Sequence, residues 1–438
     1  MRDLIVVGAV LAALPFACRH TWVGILLWTW LSVMNPHRLA YGFAQDAPLA
    51  AMAAAATVLS LFITKDKLRM PWGAPVILMI LLLIWMSITT VFAIHTDESI
   101  EDLKRITKIF AMTLVAFAAI RERKHIELFI WVNVLSIGFF GLKGGLFTIA
   151  SGGSQRVWGP PGAFIEGNNE VGLALVMTIP LINYLRLVST RAWMRTSLLV
   201  LMLLCAVAVL GTQSRGAFLA ISAMGLVMWF RSEKKLFAAV SILTIGIALT
   251  QFMPDSWGER MDTIGSYQED GSAMGRINAW WNAFNLANDR FLGGGFQIYS
   301  PDIFAKYAPV PDDVHAAHSI YFQMLGEHGW IGLGIFLLIG WHGFSIAGKI
   351  RKEAIRQPEA MWAYQMAGMV QVSMIGFAVG GAFLSLAYFD LPYNILVVLV
   401  AGLHWVREQR WKTESEGAFG SAAPVAKLNA TPAGKLPS

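Results

Sequence analysis

The sequence predicts an all-α protein that crosses a membrane many times. Of its 438 residues, 56% are hydrophobic and only 14% are charged, whereas a soluble protein carries about a quarter charged residues. Many apolar runs approach or exceed the ~20 residues that a helix needs to cross a bilayer. These runs are continuously apolar rather than alternating, which excludes a membrane-spanning β-barrel.

The apolar segments number about 12, or 13 if the first two are counted separately. Those two are short, so they form either two helices or a bent hairpin around Arg19 and His20. Residues 1–17 resemble a signal peptide, but more apolar sequence follows at once, so we expect a first membrane segment there. The segments lie at 3–17, 21–34, 47–64, 74–94, 105–120, 125–149, 170–187, 197–213, 216–230, 236–252, 328–348, 362–385 and 391–406.

Short basic loops set the expected orientation. Lysine and arginine mark the cytoplasmic side of membrane proteins, and each basic loop here is separated from the next by two apolar segments. The net charge of +6 therefore reflects cytoplasmic loops rather than binding of nucleic acid. The basic loops are 65–69, 121–124, 186–195, 231–235, 349–356 and 407–412. The connections between them, including the long polar stretch after residue 252, then face outward.

This layout divides the chain into four parts. Residues 1–252 are N-terminal membrane helices, 253–327 a large outward loop with helices of its own, and 328–410 C-terminal membrane helices. Residues 411–438 are rich in small residues, proline and lysine, and we expect a disordered cytoplasmic tail. Cys18 and Cys205 lie in or beside apolar runs and belong to no disulfide framework or metal motif.

The long loop predicts two helices. An amphipathic pattern follows Ser272, which is a plausible N-cap. Its tryptophan pair at 280–281 suggests a helix at the membrane interface, and Gly293–Gly295 are expected to end it. A second helix is expected from near Val314 and would carry His318.

The long loop is acidic, which makes Arg276 conspicuous. Between residues 255 and 313, nine carboxylates stand against four basic side chains, so the loop does not attract phosphate in general. The planar fork of an arginine matches phosphate oxygens. The alternative for Arg276 is a surface ion pair with Glu269 or Asp270.

Arg215 lies in GTQSRGAF, between two apolar runs that are only just long enough to span the bilayer. It is therefore forced near the membrane surface. A charge at that depth is costly and is usually functional. The alternative is an arginine that reaches from a helix end to the interface.

His318 marks the point where the long loop returns to apolar sequence. It could act as a general base or hydrogen-bond donor at the mouth of a membrane cavity, or it could simply cap a helix. His315 lies three residues earlier, with Asp312 and Asp313 close by. This group could suggest a metal site, but no complete ligand spacing is present.

The outward stretch 152–170 carries Arg156, Glu166, Asn168, Asn169 and Glu170. Its amides and carboxylates could bind sugar hydroxyls, or they could belong to an ordinary turn and helix start. Lys143, at the end of the preceding apolar segment, could reach an anionic group or extend to the interface. The chain has no Walker A sequence and no dinucleotide-binding glycine motif, so ATP-driven transport is not supported.

These segments together resemble the O-antigen ligase and polymerase superfamily of bacterial envelope glycosyltransferases. The resemblance rests on SRG in an outward turn, an arginine in the large loop and the sequence HSIYFQMLGEHGWIG. Three further stretches resemble the branch of O-glycosylation ligases found with exosortase systems: WTWLSVMNPHRLAYGFA, RVWGPPGAFIEGNNE and EDGSAMGRINAWWNAFNLA.

The resemblance implies a membrane glycosyltransferase fold of the C type (GT-C) and a metal-independent, inverting transfer without a cofactor. The donor would be a glycan on undecaprenyl pyrophosphate at the periplasmic side of the inner membrane, with its polyprenyl chain in a membrane cavity. The acceptor would be lipid A core, another glycan or protein. Arg215 and Arg276 match the arginines that hold the pyrophosphate, and His318 matches the histidine that acts on the acceptor hydroxyl.

Three alternatives to a ligase remain open. A glycan polymerase would use the same site with a second lipid-linked glycan as acceptor, and a protein O-oligosaccharyltransferase would use a protein hydroxyl. A transporter of lipid-linked sugars belongs to a different class. It would be expected to carry charged residues in the middle of its spans and an inverted repeat, and the sequence offers few of the former and no obvious repeat.

Overall fold

A computed structural model describes residues 1–232, 234–262, 264–265, 268 and 271–414. Within these residues the chain is helical and has no strand, which confirms the all-α prediction. The α-helices are α1 (Arg2–Arg19), α2 (Thr21–Thr29), α3 (Leu49–Ile63), α4 (Ala74–Val91), α5 (Thr96–Ala119), α6 (Arg123–Ala150), α7 (Asn168–Val188), α8 (Ala192–Gly211), α9 (Arg215–Arg231), α10 (Lys235–Phe252), α11 (Asp255–Asp262), α12 (Gly271–Asp289), α13 (Pro301–Tyr307), α14 (Ile320–Ala354), α15 (Met361–Gly381) and α16 (Asp390–Arg407).

Among the described residues, six helices are long and apolar enough to cross a membrane. They are α4, α6, α7, α8, α10 and α14, and two shorter apolar stretches accompany them at Thr21–Met34 and Leu49–Ile63. The protein is therefore a multi-pass membrane protein. The count of 12 or 13 spans and the GT-C fold stay predictions.

The first two apolar segments are two helices that break at His20, whose backbone is extended (φ −130°, ψ 110°). α2 continues as a π-helix over Trp30–Met34. α1, α2 and α3 pack on one another. The break lets the two short helices meet without a long connection.

The bundle is built around α7. Its side chains from Val171 to Leu185 are buried, and it packs against α6, α8, α9 and α15. α6 and α8 approach so closely that a Cβ at Gly145 would collide with the carbonyl of Leu204. Close backbone approach through small residues is the usual way in which membrane helices pack.

The segment between α10 and α14 folds into short helices around small apolar cores. α12 packs along α14, and Ala283, Leu286 and Ile298 form part of one core. Hydrogen bonds from Tyr307 and Lys306 hold the pKa of Asp289 below its ordinary value, so part of the loop's acidic charge is engaged within the loop.

Two details of this segment differ from the sequence prediction. Ser272 is the second residue of α12 rather than its N-cap. The helix expected from near Val314 begins six residues later, at Ile320, because residues 314–319 are not helical, so His318 precedes the helix instead of lying on it. A side chain of α12 binds the backbone just before this segment: Asn278 donates to the carbonyls of Val310 and Asp313.

α14 is kinked at Gly329, whose φ is +66°. The backbone N–H groups of Gly294 and Gly295 donate to the carbonyls of Gly326 and Glu327 (both 2.9 Å) just before the kink. The predicted boundary between loop and C-terminal membrane helices, at residue 327, lies beside this kink.

The tail predicted from residue 411 needs correction for its first four residues. Residues Arg410–Lys412 form a 3₁₀ turn, and the Glu414 carboxylate accepts from Trp405 Nε1 (2.7 Å) and from the backbone N–H of Arg123 (3.1 Å). These contacts fix the chain against α6 and α16. Residues 415–438 lie outside the described residues.

α5 connects the two ends of the bundle. At its start, His95 Nε2 lies 3.2 Å from Ser300 Oγ of the long loop; at its end, the Arg69 N–H donates to the carbonyl of Ala118. Its 24 residues cover about 36 Å, more than the hydrocarbon thickness of a bilayer. We call the end that carries residues 253–319 the loop face and the other end the basic face.

Candidate functional site

The turn between α8 and α9 presents Arg215 at the loop face. Arg215 is the first residue of α9, and the Oγ of its N-cap Ser214 accepts from the N–H of Ala217 (3.2 Å). Gly216 packs so closely that an added Cβ would lie 3.0 Å from the Cβ of Phe383. The backbone at Arg215 is therefore held on two sides.

Gln213, two residues before Arg215, accepts hydrogen bonds from two further arginines. Its side-chain Oε1 accepts from Arg156 Nε (3.2 Å), and its backbone carbonyl accepts from Arg260 Nε (2.9 Å). Its own Nε2 donates to the carbonyl of Gly153 (3.1 Å). Arg156, from the loop after α6, and Arg260, from α11, thus meet at the turn that leads to Arg215. The sequence analysis did not single out Arg260.

The start of α7 links this turn to the histidine. The Asn168 side chain is buried and its Nδ2 donates to the carbonyl of Thr212 (2.8 Å), which positions the turn that leads to Arg215. Two residues on, Glu170 Oε1 lies 3.8 Å from His318 Nδ1. This carboxylate is the partner that sequence reasoning did not assign, because 148 positions of chain separate it from the histidine and nothing local connects them.

His318 itself lies in the non-helical segment before α14. Its φ is +43°, in the left-handed region that is uncommon for a residue with a side chain. Nδ1 is buried and has no hydrogen-bond partner among the described residues. Because residues 314–319 are not helical, His315 and His318 are not on one helical face as their spacing suggested.

α12 runs beside this segment and carries Arg276. Trp280, one turn after Arg276, donates from Nε1 to the carbonyl of Ala317 (2.7 Å), and its ring stacks on Phe322 at 5.0 Å. The ring also lies 6.4 Å from Phe383, next to the Arg215 turn. The helix that carries Arg276 is thereby fixed against the segment that carries His318.

The three remaining predicted site residues, His315, Asn169 and Lys143, lie in different parts of the structure. His315 packs against Gly275, beside Arg276, and its Nε2 lies 2.7 Å from Asp313 Oδ1. Asn169 is half-buried at the start of α7. Lys143 lies on an exposed face of α6 with the apolar Leu142, and the structure does not bring it to the arginines and the histidine.

Asp313 and His315 form a close pair, but no group of three His, Cys, Asp or Glu residues within the described parts of the chain has the geometry to hold an ion.

An apolar cavity of about 600 Å³ opens beside the start of α14. Ile320 and Tyr321, the second and third residues after His318, line it together with apolar side chains of α15 and α16, such as Phe377 and Leu396. Its lining is almost entirely hydrocarbon, so it suits an acyl or prenyl chain.

A buried hydrogen-bond network lies beneath these residues. Tyr388 donates to Glu327, and His328 Nε2 lies 2.8 Å from the Tyr388 hydroxyl and Nδ1 2.7 Å from Thr89 Oγ1. The network ties α4, α14 and the loop before α16 together. An acidic residue and a histidine inside an apolar stretch could have pointed to this network from the sequence. The sequence analysis quoted both residues within HSIYFQMLGEHGWIG but gave them no role of their own.

Two family models match the sequence. Residues 200–337 match the family described as O-antigen ligase, and residues 1–190 match a family of unknown function (DUF5935). No curated protein matches the chain. The first match includes Arg215, Arg276 and His318 and confirms the resemblance to the superfamily. The narrower assignment to the exosortase-associated branch stays a prediction.

Proposed function

Residues 200–337 match the O-antigen ligase family, and from that premise we propose that this protein is a lipid-linked glycan ligase. The family match supports a glycosyltransferase of the ligase or polymerase type. Our proposal is narrower: the enzyme moves a glycan from undecaprenyl pyrophosphate to a hydroxyl of a lipid A core sugar. The loop face is then the periplasmic face of the bacterial inner membrane.

The observation that carries the proposal is the link through the start of α7. Asn168 bonds the turn that leads to Arg215, and Glu170, two residues later, lies 3.8 Å from His318. The start of α7 thus contacts both the turn that leads to Arg215 and the imidazole of His318. Such an arrangement suits a reaction in which an anion leaves while a hydroxyl loses its proton.

In the proposed reaction, the bond between the anomeric carbon and the diphosphate oxygen breaks, and the diphosphate takes the electron pair. Arg215 and Arg276 stabilise the negative charge that develops on it. The acceptor oxygen bonds to the anomeric carbon from the opposite side, which inverts the configuration. His318 takes the proton of the acceptor hydroxyl, and Glu170 stabilises the resulting imidazolium.

Other residues predicted or found near the site would help to bind the substrates. Arg156 and Arg260 meet at Gln213 and add positive charge for the diphosphate. His315 and Asn169 contact the glycan, and Lys143 serves an anionic group of a lipid at the outside of α6. The apolar cavity of about 600 Å³ next to Ile320 holds part of the polyprenyl chain.

The test uses purified full-length protein, a lipid-linked glycan and each acceptor in turn, with product mass as the readout. We expect Arg215→Ala, Arg276→Ala and His318→Ala to lower transfer at least about a hundred-fold, as loss of a charge-stabilising group does. Lys306→Ala is the control, because it removes a cation of the same loop that is paired with Asp289. Wild-type rates in all three site variants would contradict the assignment.

The same assay separates the alternatives. A product formed only with lipid A core supports the ligase; a glycan lengthened on its lipid indicates a polymerase, and a modified protein indicates an O-oligosaccharyltransferase. A transporter would give no covalent product. EDTA is expected to leave the rate unchanged, and a loss that Mg²⁺ or Mn²⁺ restores would contradict the metal-independent chemistry.

A further inference from the structure

A second polar cavity lies at the basic face, away from the proposed site. It has a volume of about 300 Å³ and lies between the chain before α4, the end of α5 and the end of α16. Arg69, Arg121 and Arg410 line it, together with His404 and Glu408. These arginines come from three separate basic loops that the fold brings to one place.

The cavity carries more positive than negative charge. Glu408 is the acidic group in its lining, and it lies 2.8 Å from Arg410 Nε and 3.7 Å from Arg121 Nη2. Burial alone would raise the pKa of Glu408, but the hydrogen bond from Arg410 and the charges of both arginines hold it below its ordinary value. Glu414, 3.2 Å from Arg410 Nη1, neutralises a second charge, which leaves a net positive lining.

The position of the cavity suits the headgroup region of a membrane. It lies at the end of α5, about 36 Å along that helix from the loop face. Trp72, which is 68% exposed, stands in its wall, and tryptophan is enriched where hydrocarbon meets headgroups. Phe117 and Ile120 form an apolar side of the same cavity.

We propose that this cavity binds the phosphate of an anionic phospholipid headgroup at the membrane face opposite the loop face. The guanidinium fork of Arg69 matches phosphate oxygens, and Arg121, whose Nη1 donates to the carbonyl of Lys67, adds positive charge beside it. Basic pockets between membrane helices take such headgroups. The apolar side faces the first part of the acyl chains. The site is independent of the proposed transfer activity, since no residue of the loop face contributes to it.

Arg69→Gln is the informative variant. The contact of Arg69 with α5 is made by its backbone N–H, which donates to Ala118, so the substitution removes the charge and keeps that bond. Arg356→Gln is the matched control, since it makes the same change at an exposed arginine of another predicted cytoplasmic loop, outside this cavity. Arg69→Lys keeps the charge but loses the planar fork.

Binding is measured by native mass spectrometry of the full-length protein in detergent, with phosphatidylglycerol, cardiolipin or phosphatidylcholine added. We expect the anionic lipids to bind in preference to phosphatidylcholine, Arg69→Gln to weaken that binding about five-fold, Arg69→Lys to recover part of it, and Arg356→Gln to leave it unchanged. A melting temperature taken without lipid checks that each variant is folded.

Two results would overturn the proposal. The first is equal binding of anionic lipid by wild type and a folded Arg69→Gln protein. The second is an increase in melting temperature with inorganic phosphate that matches the increase with phosphatidylglycerol at the same concentration, because it would assign the cavity to a soluble phosphate ligand.

Discussion

At the scale of single residues, Gln213 carries no charge but contacts two arginines of the proposed site, Arg156 and Arg260. Its φ of +53° turns the chain between α8 and α9. In that conformation its side chain and carbonyl face Arg156 and Arg260. Under the proposed function, we expect Gln213 to be a positioning residue that acts on the substrate through the two arginines.

Gln213→Ala removes the acceptor for Arg156 and keeps the backbone carbonyl for Arg260. We expect the KM for the lipid-linked donor to rise about ten-fold with kcat retained, because a hydrogen bond to a charged group contributes about 1.5–3 kcal/mol and this one is partly exposed. Gln409→Ala is the control, since Gln409 shares the left-handed conformation (φ +49°) at the basic face. A fall in kcat without a change in KM would argue against the positioning role.

At the scale of elements, α14 and the glycine turn before α13 form one interlocked unit. Gly293 (φ +71°) and Gly329 (φ +66°) face each other across the kink. The N–H groups of Gly294 and Gly295 bind carbonyls of α14. The start of α14, which follows His318, is thereby fixed against the loop.

Gly329→Ala is expected to destabilise this unit. The added Cβ would lie 2.5 Å from the Phe291 carbonyl oxygen. The backbone of Gly329 (φ +66°, ψ −173°) also lies in a region that is essentially restricted to glycine, where a side chain costs about 1–3 kcal/mol before any clash. Gly334→Ala, five residues later in the same helix, meets no atom within 4 Å. Thermal unfolding in detergent should show a lower melting temperature for the first variant alone; equal melting temperatures would mean that the kink is not held as described.

At the scale of the whole molecule, the two faces of the bundle differ in chemistry. The loop face gathers Arg215 and His318 with the acidic residues of the long loop, whereas the basic face gathers arginines of separate short loops. This polarity agrees with the orientation predicted from the positive charges of the loops.

Cysteine labelling tests that orientation. Asp312 and Lys412 are both exposed, one at each face. In intact cells with a permeabilised outer membrane, a membrane-impermeant maleimide should label an Asp312→Cys protein and not a Lys412→Cys protein, with the unmodified chain as baseline. Labelling of Lys412→Cys alone would invert the predicted topology and move the proposed site to the cytoplasm.

Much of the helical architecture was predictable, and much of the site was not. The apolar runs predicted membrane helices because a helix that spans a bilayer needs about 20 apolar residues in a row, and this can be read from each segment by itself. The predicted helix start near Val314 was wrong. Asn278 and Trp280 of α12 bind the backbone carbonyls of Val310 and Ala317, and this part of the chain is therefore not helical. The contacts of Glu170 with His318 and of Arg260 with Gln213 were not predicted, because the partners lie far apart along the chain.

The sequence by itself determined that this protein is a multi-pass bundle, which residues carry unusual charge near a membrane surface, and which superfamily residues 200–337 resemble. Only the tertiary structure decided that Glu170 stands beside His318, that Gln213 joins Arg156 to Arg260, and that three basic loops enclose one cavity. The reason is physical: apolarity and charge are local to a segment, whereas these contacts exist only after helices distant in the chain have packed together.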